Sequence, residues 1–311
     1  MSDSSSQTPM VAFRRFSFNR IWAIASNTLT QLIRLRAFYF LLIFSLMVLL
    51  AASLIQNFQL DQSRQLKVVK DMAFLSMSLF CTLFAIVATA NLIPKDIEDR
   101  TLYTILAKPV PRLDYLLGKY LGTLLILVVS LICMTALLYG VLWMRQSALL
   151  AELEVVKQVA DAGGGISEIT DLEILRKRIN AEGVSWSLLQ GVLSIGMQAT
   201  VLSAITLCIS TFASSGLFTV IVSVVVYFIS YIQPTVIDFW RSTNDMGSMS
   251  RVLAYLLEIA FPNFRSFNLV DGVVSGDILS LKTVGKVIGI AISYVVAFLV
   301  ASYLVFAKKE L

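Results

Sequence analysis

The sequence predicts an all-α polytopic membrane protein with six transmembrane helices, an N-terminal amphipathic interfacial helix and an extracytoplasmic helical hairpin. Three observations carry this fold class. The 311 residues are 57% hydrophobic and only 14% charged, and their mean hydropathy is +0.80, far outside the range of soluble domains. Apolar, charge-free runs recur at the length of about 20 residues that a helix needs to cross a bilayer. A charged, proline-containing strip, IEDRTLYTILAKPVPRLDYLLGKYLG at Ile97 to Gly122, separates two of those runs and has to lie in water, because bare backbone is not tolerated in hydrocarbon.

In chain order, the start MSDSSSQTPM is polar, residues 1–16 are expected to form a disordered tail, and residues 17–311 a single domain. Ser17 to Arg36 alternates Ile21, Ile24, Leu29 and Leu32 with Asn27, Thr30, Gln31 and Arg34, the pattern of a helix lying in the membrane interface. Spans are expected at about 37–57, 72–94, 118–144, 187–210, 216–237 and 285–307. The fourth and fifth come from one apolar run, which the small polar segment Thr211 to Gly216 divides.

Six spans put both termini on one side. The cations Arg34, Arg36, Lys95, Arg112, Lys119, Lys308 and Lys309 crowd against span ends on that side, which makes it the cytoplasmic one. The outer segment 146–186 reads as a helical hairpin. Leu149, Leu150, Leu153, Val156 and Val159 share helical spacing up to Gly163-Gly164-Gly165, and a second helix starts at the capping pattern Thr170-x-x-Glu173. The outer segment 238–284 contains Val252 to Phe261, too short to span and closed by Pro262, and reads as a re-entrant or interfacial helix.

Several chemistries are excluded. The chain has no histidine, which removes the commonest general base and metal ligand. Cys81, Cys133 and Cys208 sit singly in apolar runs, as small buried hydrophobes do. No G-x-x-x-x-G-K-[ST] phosphate loop is present. The apolar windows Ala37 to Leu60, Met72 to Pro94, Tyr120 to Met144, Gly183 to Ile237 and Val287 to Ala307 hold no Asp, Glu, Lys or Arg, whereas ion-driven transporters carry such groups at depth. Asn91, Ser194, Gln198, Ser203 and Thr206 are expected to hydrogen-bond between helices. The net charge of +5 is dispersed between spans and reports topology, with no nucleic-acid partner.

Two patterns of small residues predict close helix packing. Gly285, Gly289, Ser293, Ala297 and Ala301 recur at every fourth position along the last span, and Gly118 and Gly122 make a shorter pair on the third. In the loop 95–117, Pro94 ends the second span. Asp96, Glu98 and Asp99 are expected in the first turn of a short helix reaching about Leu106, where acidic groups complement the helix dipole; Pro109 and Pro111 then break it.

This loop resembles the permease subunits of type-2 ATP-binding-cassette (ABC) exporters. Their shared pattern is an acidic residue, a Thr-Leu pair, Lys/Ser-Pro-Val/Ile, an Arg three residues after that Pro, and Gly-Lys followed by Gly. It appears here as Glu98, Thr101-Leu102, Lys108-Pro109-Val110, Arg112, Gly118-Lys119 and Gly122, with Arg100 where many members have Gly. The approach segment Ile21 to Leu42 and FPNFRSFN at Phe261 to Asn268 are similar to the family as well.

The resemblance implies a multi-pass exporter permease of the cytoplasmic (inner) membrane. It implies pairing with a second copy or a sister permease, and with cytosolic ABC ATPase subunits that bind the ATP and Mg. This chain is then neither an enzyme nor a cofactor binder, and membrane lipid is its other partner. Glu98, Arg100, Thr101, Lys108 and Arg112 would contact the ATPase, with Pro109 keeping the loop rigid. The alternatives are a secondary transporter or channel, disfavoured by the missing charge at depth, a membrane enzyme, and a scaffold that transports nothing.

Overall fold

The computed structural model describes residues 17–55, 62–99, 111–163, 166–242, 252, 254, 256–258, 260–274 and 280–308, and helices account for nearly all of them. The helices are α1 (Phe18–Ile33), α2 (Arg36–Ile55), α3 (Gln62–Ala90), α4 (Leu92–Glu98), α5 (Arg112–Gly163), α6 (Ile166–Glu182), α7 (Ser187–Phe212), α8 (Gly216–Ser242), α9 (Val270–Val274) and α10 (Leu281–Lys308). Among the described residues, five helices are each long and apolar enough to cross a membrane. The pair α1 and α2, bent by 63° at Arg34 and Leu35, makes up to six. The chain is therefore an all-α, multi-pass membrane protein.

The bundle has an inner and an outer layer. Of their most apolar windows, 67% is buried in both α3 and α7, against 22% in α8 and 17% in α10, so α3 and α7 form the centre. Val201, Leu202, Ala204 and Leu207 of α7 are fully enclosed. Of the polar residues expected to hydrogen-bond between helices, Ser203 of α7 does so, meeting the Tyr120 hydroxyl of α5, while it and others also bond within their own helix. Ser203 donates to Thr200 O at 2.8 Å and Thr206 to Leu202 O at 2.9 Å. Asn91 likewise donates to Val87 O at 3.2 Å. A backbone carbonyl of the preceding turn is the nearest acceptor for a short polar side chain on a helix, and a hydroxyl that donates to it can still accept from a neighbouring helix. Gln198 also reaches across, hydrogen-bonding Tyr227 of α8.

The helix α5 is 52 residues long, about 78 Å at 1.5 Å per residue, more than twice the ~30 Å hydrocarbon core. The first arm of the hairpin is thus a continuation of the third span. Leu149 and Leu153 of α5, Ile179 of α6, and Leu66 and Val69 at the start of α3 are all buried in the main core. The apolar stripe of the hairpin therefore packs on its own mate and on an extension of α3. Gln146 closes the base, accepting from Val184 N at 3.2 Å and donating to Asn180 Oδ1 at 3.2 Å.

On the same side, Phe264 and Phe267 of the 3-10 turn Phe264–Phe267 are buried. The Phe264 ring lies 5.7 Å from that of Tyr227, and Asn263 caps the turn by accepting from Ser266 N at 3.2 Å.

At the opposite end, α3 breaks at Asn91 and resumes as α4. The break follows from Pro94, which lacks an N–H and whose ring clashes with the carbonyl four residues earlier, that of Ala90. Lys95 N still reaches Asn91 O at 3.1 Å, and Asp99 N reaches Lys95 O at 2.9 Å. The acidic residues Asp96, Glu98 and Asp99 thus lie at the C-terminal end of α4 and just past it, where the dipole disfavours them. The sequence placed them in a first turn, because it counted Pro94 as the end of the span and a new helix as starting after it.

Candidate functional site at the base of the connector

Residues 99–111 connect α4 to α5, and both flanks of this connector are fixed by charge. Asp96, on the last turn of α4, is 6% exposed, and Lys119, two turns into α5, is 2% exposed. Their charged atoms Oδ2 and Nζ are 2.7 Å apart. The same carboxylate oxygen accepts from the Tyr115 hydroxyl at 2.6 Å. Lys119 also donates to Gln31 Oε1 of α1 at 3.4 Å, and its ammonium lies 5.8 Å from the centre of the Tyr115 ring. A buried charge is tolerated only when paired and hydrogen-bonded, and here each ion meets both conditions. Tyr115 and Lys119 are four residues apart, so they share one face of α5 and reach α4 together.

The next face of α5 holds α1. Asp114, in the first turn where its charge suits the dipole, accepts from Arg20, with Nη2 at 3.0 Å and Nε at 3.2 Å. One and two turns further on, Gly118 and Gly122 form the floor of the crossing. A Cβ on Gly118 would lie 2.6 Å from Ile24 Cβ, and one on Gly122 would lie 2.6 Å from Thr28 Cβ and 2.8 Å from Ala25 O. The buried face of α1 is Ile21, Ala25, Thr28 and Leu32. The amphipathic helix thus lies along α5 itself, through glycines that let the two backbones approach.

The third attachment is to the end of α10. Arg112, the first residue of α5, donates to Phe306 O at 3.0 Å and to Ala307 O at 2.6 Å. These are carbonyls of a helix's last turn, which lack helical partners and attract cations. Its guanidinium stands 5.9 Å from the Phe306 ring centre, and that ring stacks on Tyr115 at 5.9 Å. The residue after Lys119, Tyr120, donates to Thr200 O of α7 at 3.1 Å. Three turns of α5 therefore bind α1, α4, α7 and α10 at the point where the connector rejoins the bundle.

Of the residues expected at this site, Glu98 is exposed at the end of α4. Arg112 is engaged with α10, as above, rather than turned outward. Arg100, Thr101, Lys108 and Pro109 lie outside the described residues. Gly118 and Gly122 are packing positions against α1. On α10, Gly285 and Gly289 have nothing within 4 Å of an added Cβ. Ser293 and Ala297 are exposed as well and Ala301 is half-buried, so among the described residues no helix packs on this stripe, part of which lines an open pocket beside Asn263 and Ser266.

Asp96, Asp114, Tyr115 and Lys119 were missed as a set. The expectation of charge-free spans ended its windows at the first charged residue, and so left the buried ion pairs in what looked like loop. The available signal was Tyr115 and Lys119 at i and i+4, in the turns that directly follow Pro111. Among the described residues no cluster of three His, Cys, Asp or Glu could hold a metal ion.

The family model for the ABC-2 family transporter protein matches residues 22–311 of the chain. No curated protein matches it.

Proposed function

Since the chain belongs to the ABC-2 transporter family, and is thus a membrane transport component of that family, we propose that it is the permease subunit of an exporter driven by a separate ATPase through the 99–111 connector. The observation that carries this reading is the Asp96–Tyr115–Lys119 cluster. It joins the two flanks of the connector to each other and to α1, while Arg112 joins them to α10. A force applied to a loop with a loose base is dissipated in the loop. Applied to a loop with this base, it moves α1, α4, α5 and α10 as a body.

In this reading the connector and both termini face the cytosol, in the inner membrane of the cell. Glu98, Arg100, Thr101 and Lys108 meet the ATPase, which holds ATP and Mg, and Pro109 stiffens the loop between them. Arg112 acts one step back, by holding α10. The outward stripe of Gly285, Gly289, Ser293, Ala297 and Ala301 packs against a second permease copy, and ATP-driven closure of the ATPases rocks the two permeases against each other.

The test is reconstitution with the ATPase in liposomes. Charge reversal at Arg100 should lower substrate-stimulated ATP hydrolysis while leaving the permease folded. Transport that continues without ATP and follows an ion gradient would instead make the chain a secondary transporter.

A further inference from the structure

We propose that the recess beneath the α1–α2 elbow binds the phosphate headgroup of an anionic phospholipid from the leaflet on the connector side. The recess encloses about 280 Å³ between the end of α1, the elbow residues Arg34 and Leu35, the end of α3 and α4. Its floor is apolar, including Leu32, Leu35 and Leu92, and its walls carry Arg34, Lys95 and Asp99. Arg34 and Lys95 are exposed. The Asp96 carboxylate in the wall is already neutralised by Lys119 and Tyr115. Asp99 therefore remains to oppose two cations, and the recess is net positive.

Depth identifies the ligand. The recess lies where α2 enters and α3 leaves the apolar layer, since α2 begins at Arg36 and α3 ends at Ala90. That is the headgroup level of a bilayer, where basic pockets between helices take anionic lipid. A free phosphate would use the cations and leave the leucine floor unused. A diacyl lipid uses both, with its phosphate on Arg34 and Lys95 and its glycerol and first methylenes over the floor. The Gln31 side-chain oxygen accepts from Lys119, which turns its amide N–H groups toward other acceptors. A zwitterionic lipid brings its own cation to the same place and gains less.

The proposal rests on the reading above only for the name of the leaflet, because the recess itself needs no ATPase. The experiment accordingly uses the full chain alone, purified and equilibrated in nanodiscs of equal phosphatidylglycerol and phosphatidylcholine. Retained lipid is then counted by native mass spectrometry after release into detergent. Wild type should retain phosphatidylglycerol preferentially. Arg34→Gln and Lys95→Gln should each cut that preference about fivefold, Asp99→Asn should raise it, and Lys282→Gln, a cation at the far end of α10, should leave it unchanged. Unaltered thermal melting of each variant keeps the comparison valid.

Equal retention of the two lipids, or a doubly substituted chain that holds phosphatidylglycerol like wild type, overturns the proposal. So does displacement of the lipid by millimolar inorganic phosphate, which assigns the recess to a soluble anion.

Discussion

Lys119 Nζ lies 2.7 Å from Asp96 Oδ2 with both side chains almost fully enclosed, so the two flanks of the connector are held by an ion pair that water barely reaches. Removing one member leaves the other charge buried without a partner, which costs about 3–5 kcal/mol. Asp96→Asn or Lys119→Met should therefore lower thermal stability of the purified chain sharply. The double substitution should recover most of the loss, because no bare charge remains. Equal, additive losses in a double-mutant cycle would show that the pair is not coupled.

The glycines of α5 and α10 make opposite predictions. Gly118→Ala drives a Cβ to 2.6 Å from the branched side chain of Ile24, and the crossing must open at a cost of about 1–3 kcal/mol. Gly289→Ala meets nothing within 4 Å and should stabilise the lone chain by up to about 1 kcal/mol, the helix-propensity difference. Thermal melts of the two variants decide this. Gly289→Leu separately tests the second permease: it should weaken self-association, read by light scattering, without lowering the melting temperature of the monomer.

Arg112→Ala should loosen the end of α10. The carbonyls of Phe306 and Ala307 lose a charge-assisted donor, a loss of about 1–3 kcal/mol. Hydrogen exchange over residues 303–308 should accelerate while exchange in α7 stays as it was. An unchanged rate there would return Arg112 to the role of a direct ATPase contact.

Tyr115→Phe removes one hydrogen bond to Asp96 and keeps the ring stacked on Phe306. The expected loss is about 1 kcal/mol, well below that of Asp96→Asn. Melting temperatures of the two variants, measured side by side, check the order.

The helices were legible because each span carries a long apolar run, and Gly118 and Gly122 were legible as a packing pair because small residues one turn apart have few other uses in a membrane. The path of α5 was harder to read. Arg145, Gln146 and Ser147 suggest a break after the third span, yet polar residues end a span without ending a helix. The ion pairs at the connector base were hidden for a related reason. Charge predicts water only when no partner is near, and partners that come from α1, α4 and α5 are distant in sequence. Asp96 and Lys119 are 23 positions apart, and no local pattern links them.

The central claim is that the connector faces the cytosol and is gripped there. A single cysteine at Glu98, in a chain with Cys81, Cys133 and Cys208 replaced, tests it through a membrane-impermeant maleimide. The account predicts labelling in inside-out vesicles, none in right-side-out cells, and protection of the cysteine when the ATPase is bound. Labelling from outside intact cells would contradict it.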